Sequence, residues 1–287
     1  MTAPRRIGTF DHDGLIFEVR DTGPLDGPVV VLLHGFPQTG ASWTETAALL
    51  HQRGYRTIVP DQRGYSPRAR PRGRFAYRSS RLVADTVALI DTIGAGPVHL
   101  AGHDWGAVAA WSTAARRPDQ VRSLTTVSVP HPGAFLRAML TSDQLIRSYY
   151  MFLFQLPWLP EFVLRRRPRV FGRTLTGTGM TPAQIDQVRR DIVHSGALTG
   201  GLNWYRAILF QHPAALRARV TVPTTHVWSD GDTALSRRSA ELAGQYVDAA
   251  YRLEILTGVS HWVPEEAAAT LAAIIDRAAT DTASRPA

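Results

Sequence analysis

The sequence predicts an α/β fold: a mostly parallel sheet of eight strands, helices on both faces, and a helical segment inserted into the second half of the chain. Three observations carry this. Short β-branched apolar runs alternate with helical stretches through the first part of the chain, as parallel strands joined by crossover helices require. The alternation stops at Pro130-His131-Pro132 and resumes near residue 223. One strand-to-helix junction, Leu100-Ala101-Gly102-His103-Asp104-Trp105-Gly106-Ala107, sets a glycine two residues to either side of Asp104.

Taken in order, residues 7–11 and 15–21 read as strands joined around Asp13-Gly14. Residues 29–33 are an unbroken apolar run, as a strand buried on both faces needs. The loop His34-Gly35-Phe36-Pro37 follows, with Pro37 a candidate for a cis peptide. Residues 43–53 have a helical pattern, which Gly54 ends. A strand at 56–59 leads into the loop Pro60-Asp61-Gln62-Arg63-Gly64-Tyr65-Ser66. Residues 82–93 are helical up to Gly94, residues 98–101 are the strand before Asp104, and an Ala-rich helix runs from there to about Arg117. The next strand is expected at 124–129. From Gly133 to Leu216 there is no strand signal, only helical pieces, prolines, aromatics and arginine. Within that stretch Thr181-Pro182 reads as the N-cap and first-turn proline of a helix over 183–194. Strands return at 223–228 and 251–256 with a helix at 240–247 between them, and a last helix covers 265–279. The tail, 281–287, is expected to fray. The chain therefore divides into a core in two parts, 1–132 and 217–287, and an inserted helical cap, 133–216. A structureless loop of that length would be out of keeping with a compact domain.

Composition narrows the function classes. The net charge is +8, and all 32 basic residues are arginine. One cluster is Arg68, Arg70, Arg72, Arg74, Arg78 and Arg81; the other is Arg165, Arg166, Arg167, Arg169 and Arg173. No nucleic-acid fold motif and no helix with a continuous basic face accompanies them, so nucleic acid is not an expected partner. Both clusters are expected as solvated loop and lid surface, with contact to an anionic membrane surface as the alternative. The chain has no cysteine, which removes disulfides, metal–thiolate sites and a Cys nucleophile and fits a reducing cytoplasm, the expected location. Arg5 and Arg6 lack an apolar region behind them, so no secretory signal is expected. No apolar run approaches the ~18 residues that span a bilayer. No glycine-rich phosphate loop is present, and neither cofactor nor metal is expected.

The chemistry centres on Asp104. In the pattern G-x-nucleophile-x-G, a sharp strand-to-helix turn holds one residue above the sheet edge, and small flanks are needed because backbones come close. The central residue is usually Ser. A carboxylate there attacks carbon and forms an ester, which suits an electrophilic sp3 carbon with a leaving oxygen or halide. Two later signals fall just past predicted strands: Ser229-Asp230-Gly231-Asp232 and Gly258-Val259-Ser260-His261-Trp262. They place an acid and a histidine after the nucleophile in chain order. His261 is the candidate base. Asp232 is favoured over Asp230 as the acid that fixes its tautomer. The backbone N–H groups of Phe36 and Trp105 are the expected oxyanion donors. Because Asp104 is a carboxylate, it needs no base for its own attack, and His261 must serve a later step.

His34-Gly35-Phe36-Pro37, Asp61-Gln62-Arg63-Gly64-Tyr65, the stretch around Asp104 and Ser260-His261-Trp262 together resemble the soluble epoxide hydrolases of the α/β-hydrolase superfamily, over roughly residues 16–279. The resemblance implies the α/β-hydrolase fold and two cap tyrosines that grip the epoxide oxygen. The matching positions are Tyr150, with Tyr149 as its rival, and Tyr205. A phenol of pKa about 10 donates a hydrogen bond while staying neutral at pH 7. The implied reaction forms a hydroxyalkyl ester on Asp104, which water activated by His261 and Asp232 hydrolyses to a vicinal diol. The substrate-binding set is Phe36, Trp105, Tyr150, Tyr205, Trp204 and Phe154. With Phe152, Trp158 and Phe162, these cap aromatics suggest an apolar epoxide, with water as the co-substrate and a homodimer left open.

The sibling reading is a haloalkane or haloacid dehalogenase using the same nucleophile. Haloalkane dehalogenases usually carry Asn where Phe36 stands. Fluoroacetate dehalogenases carry Arg where Trp105 stands and a His-Trp pair where Tyr150-Met151 fall. The absence of these groups argues for epoxide. A non-catalytic binding protein is disfavoured by the intact elbow, acid and histidine. A carboxyl-ester hydrolase is disfavoured because attack by Asp104 on an acyl ester would give an anhydride.

Overall fold

The computed structural model describes residues 5–283. Its strands are β1 (Thr9–His12), β2 (Leu15–Thr22), β3 (Val29–Leu33), β4 (Arg56–Pro60), β5 (Val98–His103), β6 (Val121–Val127), β7 (Thr224–Ser229) and β8 (Tyr251–Leu256). They form one sheet in the order β1-β2-β4-β3-β5-β6-β7-β8. β2 runs antiparallel to β1 and to β4, and all other pairs are parallel.

Burial follows the pleat. Along β3, Val29, Val31 and Leu33 join one apolar cluster with Leu100 and Leu124, while Val30 and Leu32 join the opposite one with Ala101, Val127 and Leu271. Both faces are covered, which is why this strand reads as an unbroken apolar run. Each such side chain contributes about 1.5–3 kcal/mol on burial. The sheet order brings the carboxyl ends of β3, β5, β7 and β8 to one edge, and the loops that carry chemistry leave from there.

Several boundaries differ from the sequence expectation. β6 runs from Val121 to Val127, not 124–129, because Ser128 turns to φ 66° and stops the ladder. The last helix is two pieces, Val263–Glu266 and Ala268–Ala283, broken at Ala267. The helix expected at 183–194 is Pro182–Val188 followed by a π-helical turn, Arg189–His194. Its start is a capping box between Thr181 and Gln184. Residues 281–283, expected to fray, continue the last helix; the rest of that expectation, residues 284–287, lies outside the described residues.

Between β6 and β7 the regular structure is all helical. The first of these helices, Pro132–Thr141, lies on the sheet side, where Phe135 packs with Trp228, Leu235 and Ala240. Helix Leu198–Arg206 is pressed onto the loop after β4: a Cβ on Gly200 would lie 2.3 Å from the Gly64 carbonyl oxygen. That close approach seats Tyr205 against the sheet edge.

Candidate active site

Asp104 sits between β5 and helix Trp105–Arg116 with φ 52° and ψ −120°, a conformation a non-glycine residue holds only when its surroundings impose it. The flanking glycines are steric requirements. A Cβ on Gly102 would lie 2.3 Å from the Gly106 carbonyl oxygen, and one on Gly106 would lie 2.1 Å from that of Leu33. The loop after β3 comes as close: a Cβ on Gly35 would meet Asp104 Oδ1 at 2.2 Å. That approach lets the Phe36 N–H donate to Oδ1 at 2.7 Å, and the Trp105 N–H also bonds this carboxyl. The Phe36-Pro37 peptide is cis. Burial raises the pKa of Asp104 above the ordinary carboxylate value, opposed by His261 and the two N–H groups.

The loops after β7 and β8 bring Asp232 and His261 together. His261 Nδ1 lies 2.7 Å from Asp232 Oδ2, and its Nε2 lies 3.8 Å from Asp104 Oδ2. Asp232 Oδ1 accepts from the N–H groups of Ala234 (2.8 Å) and Leu235 (2.9 Å), so all its bonding is internal. Asp230 instead points away and accepts from the Gly258 N–H at 2.7 Å. Burial pushes the His261 pKa down, but the Asp232 carboxylate, aided by Asp104, outweighs it and the net shift is upward from 6.5.

The inserted helices roof this constellation with aromatic rings. Tyr150 and Tyr205 meet at 6.0 Å between ring centroids, and Tyr205 lies 5.0 Å from both Trp105 and Phe154. Phe36 contacts Tyr205 and Phe154 edge-to-face. Burial, with the Asp104 charge second, pushes both phenols above their ordinary pKa of 10.0, so both are neutral donors at pH 7. The Trp105 side chain hydrogen-bonds the Tyr205 phenol. Tyr149 is turned outward and is 61% exposed, so Tyr150, not its neighbour, faces the carboxylates. Trp204 is fully buried; its indole N–H donates to the Arg63 carbonyl oxygen at 2.8 Å, and its ring contacts Trp105 and Tyr65. It braces Trp105 from the side.

Sequence reasoning missed five supporting residues. Tyr65 is buried with an unpartnered hydroxyl, and its pKa is raised by burial and then by Asp104. Its position inside the quoted loop after β4 was the available signal. The His261 carbonyl oxygen is held by His103 Nε2 at 2.9 Å and by the Ser128 hydroxyl at 3.2 Å; burial keeps His103 neutral. His34, neutral through burial with a pKa of about 4, accepts from the Gln62 N–H at 3.1 Å and locks the loops after β3 and β4 together. Arg206 ties the two tyrosine-bearing segments: it pairs with Glu161 at 2.6 Å and donates to the carbonyls of Phe154 (3.0 Å) and Leu156 (2.8 Å). Its partners are too distant in sequence for any local pattern to show them.

Comparison with known proteins agrees with the fold. The alpha/beta hydrolase fold family matches residues 28–268. Human Epoxide hydrolase 4 is 32% identical over 264 residues, covering 88% of this chain and 72% of its own. The chain belongs to the epoxide hydrolase family of the α/β-hydrolase fold. Epoxide hydrolase A of Mycobacterium tuberculosis is 29% identical, covering 89% of this chain and 91% of its own. The crystal structure of epoxide hydrolase A from Mycobacterium thermoresistibile superimposes with a TM-score of 0.80 at 29% identity, over 93% of this chain and 96% of that one. The family assignment rests on whole-chain similarity; the roles of individual residues rest on the site itself.

Proposed function

We propose that this family member converts an apolar epoxide to a vicinal diol through an ester on Asp104, beneath a cap formed by residues 133–216. The observation that carries the reading is the division of labour between the two Asp104 oxygens. Oδ1 is held by the Phe36 N–H at 2.7 Å, whereas Oδ2 faces His261 at 3.8 Å, too far for a hydrogen bond. Oδ2 is thus the free attacking atom. It displaces the ring oxygen from one epoxide carbon in line, and the C–O electron pair goes to that oxygen. Tyr150 and Tyr205 hold the forming alkoxide, and one of them supplies its proton.

The second step uses the other half of the site. His261 Nε2 takes a proton from water, whose oxygen attacks Cγ of Asp104. The negative charge develops on Oδ1, where the Phe36 N–H already points, with the Trp105 N–H beside the same carboxyl. Collapse breaks the Cγ–Oδ2 bond, and the departing alkoxide takes the proton from His261. The water oxygen stays on Asp104, and the proton freed there restores the tyrosine. Forming the ester also removes the Asp104 charge, one of the influences that raises the His261 pKa, so the pKa moves down at the step where His261 acts as base. Asp232 holds the ring in the required tautomer throughout.

The test is the intact mass of His261→Gln after incubation with aliphatic and aryl epoxides. The expected result is a gain of one whole epoxide on the peptide that contains Asp104. A folded variant with no adduct from any epoxide that the wild type turns over would overturn the mechanism. Halide release from haloalkanes without diol formation from any epoxide would favour the dehalogenase reading.

A further inference from the structure

Among the described residues, twelve of the sixteen exposed large apolar side chains fall between residues 136 and 170. Trp158 is the most prominent aromatic: it sits at φ 50° in the turn between helices Tyr149–Leu153 and Leu159–Arg166 and is 71% exposed. Phe152 and Phe162 flank it in sequence, and Trp158 shares an open groove with Phe162, Arg165 and Arg166. A monomeric soluble protein seldom leaves large apolar rings exposed beside an open groove without using them.

Charge selects what covers it. Arg165, Arg166, Arg167, Arg169 and Arg173 are all exposed, and no ion pair within 4.0 Å engages any of them among the described residues. The other arginine cluster is different: Arg70 donates to the Tyr65 and Ser195 carbonyls, Arg78 lies on the Phe75 ring and Arg81 pairs with Asp13. Between residues 149 and 180 the only acidic side chain is Glu161, and Arg206 already holds it. A second copy of the chain seated on this face by two-fold symmetry would set arginines near arginines. An anionic lipid surface offers what the face lacks, phosphates for the guanidinium groups and an apolar bed for the rings.

We propose that this face docks the protein on anionic lipid surfaces, with Trp158, Phe152 and Phe162 at headgroup depth and the arginines on phosphates. No helix among the described residues is long and apolar enough to cross a membrane, so the attachment is peripheral. Helix Tyr149–Leu153 presents Tyr149 and Phe152 outward and Tyr150 inward, so docking would set the roof of the site against the lipid. That consequence for apolar substrates rests on the proposed function; the docking itself does not.

The test is co-sedimentation of the full chain with phosphatidylcholine vesicles and with vesicles containing phosphatidylglycerol. Binding is expected only to the anionic vesicles and is expected to fall steeply with salt. Arg165→Gln, Arg166→Gln and Arg169→Gln together should weaken it by about fivefold per arginine. Trp158→Ser with Phe162→Ser should abolish it. Both variants should keep the wild-type melting temperature and turnover of a water-soluble epoxide. Absence of binding, or equal binding to both vesicle types at every salt concentration, would overturn the proposal. So would light scattering showing a wild-type dimer that Trp158→Ser with Phe162→Ser converts to monomer. Vesicle binding without any epoxide turnover would uphold the docking and sink the proposed function.

Discussion

Asp104, Asp232 and His261 sit at the ends of β5, β7 and β8, whereas Tyr150 and Tyr205 sit on helices of 5 and 9 residues in the inserted segment. The first group is fixed by the main chain: backbone N–H groups of Phe36, Ala234 and Leu235 hold the carboxylates, and the His261 carbonyl is pinned from two sides. The second group is fixed by side chains. Arg206 crosses from one tyrosine segment to the other, and Gln155 returns the link by donating to the Tyr205 carbonyl at 2.9 Å. In the proposed mechanism the sheet edge is therefore a rigid half that sets the covalent chemistry. The roof is then an adjustable half that sets how the leaving oxygen is held, and it depends on very few bonds.

Variants separate the two halves. The largest effect is expected for Asp104→Ala, a loss of turnover of about 10⁴-fold or more with the fold retained; near-normal diol formation would remove Asp104 from the mechanism. His261→Gln should slow turnover by about 10³-fold or more while the ester accumulates. A single turnover of the wild type in heavy-oxygen water should label Asp104 and leave the diol unlabelled; label in the diol would mean that water attacks the epoxide directly. Tyr150→Phe and Tyr205→Phe should each slow ring opening by about 10²-fold, and the pair by much more. The sharpest probe of the comparison is Arg206→Met, which strands Glu161 and should cost about 2–3 kcal/mol in thermal or denaturant unfolding. It should slow ester formation and spare ester hydrolysis, because only the roof is loosened. Equal slowing of both steps would show that the halves are not independent.

The smallest expected effect is on the pH profile. Ester hydrolysis needs neutral His261, whose pKa is raised above 6.5. With the neutral base required, ester hydrolysis should slow as pH drops through the His261 pKa of the ester form, which loss of the Asp104 charge sets below that of the free enzyme. On the alkaline side both phenols lie above their ordinary 10.0, so no loss from tyrosine ionisation is expected below that value. A rate independent of pH between 5 and 9 would contradict the role of His261.

The rigid half was legible in the sequence because its constraints are local. Gly102 is forced by the Gly106 carbonyl within the turn itself and Gly106 by the Leu33 carbonyl of the neighbouring strand, and the turn keeps both at fixed spacing from Asp104. Asp232 and His261 follow their strands closely for the same reason. The choice of Asp232 over Asp230 also had a local basis, its place further past the strand and after Gly231: both aspartates bond to the β8 loop, but only Asp232 reaches the His261 ring. The roof was legible only through resemblance. Tyr149 and Tyr150 are adjacent in sequence, and no periodicity in so short a helix says which one faces in. Trp204 reads in the sequence as a site aromatic, yet it is a buried brace whose N–H is tied to the chain. The supports His103, Ser128 and Arg206 gave no signal, since each acts on a partner far along the chain.

The sequence by itself determined the strand–helix alternation, the insertion, the nucleophile elbow and the order of acid and histidine. All of these follow from short-range sterics and burial periodicity. The tertiary structure alone decided that Oδ1 and Oδ2 of Asp104 have different surroundings, that Tyr150 and not Tyr149 looks inward, and that Arg70, Arg78 and Arg81 of one arginine cluster are engaged within the chain while the other cluster makes no ion pair among the described residues. Those outcomes depend on which side chains meet across long separations, where packing and hydrogen bonding choose between alternatives that local sequence leaves equal in energy.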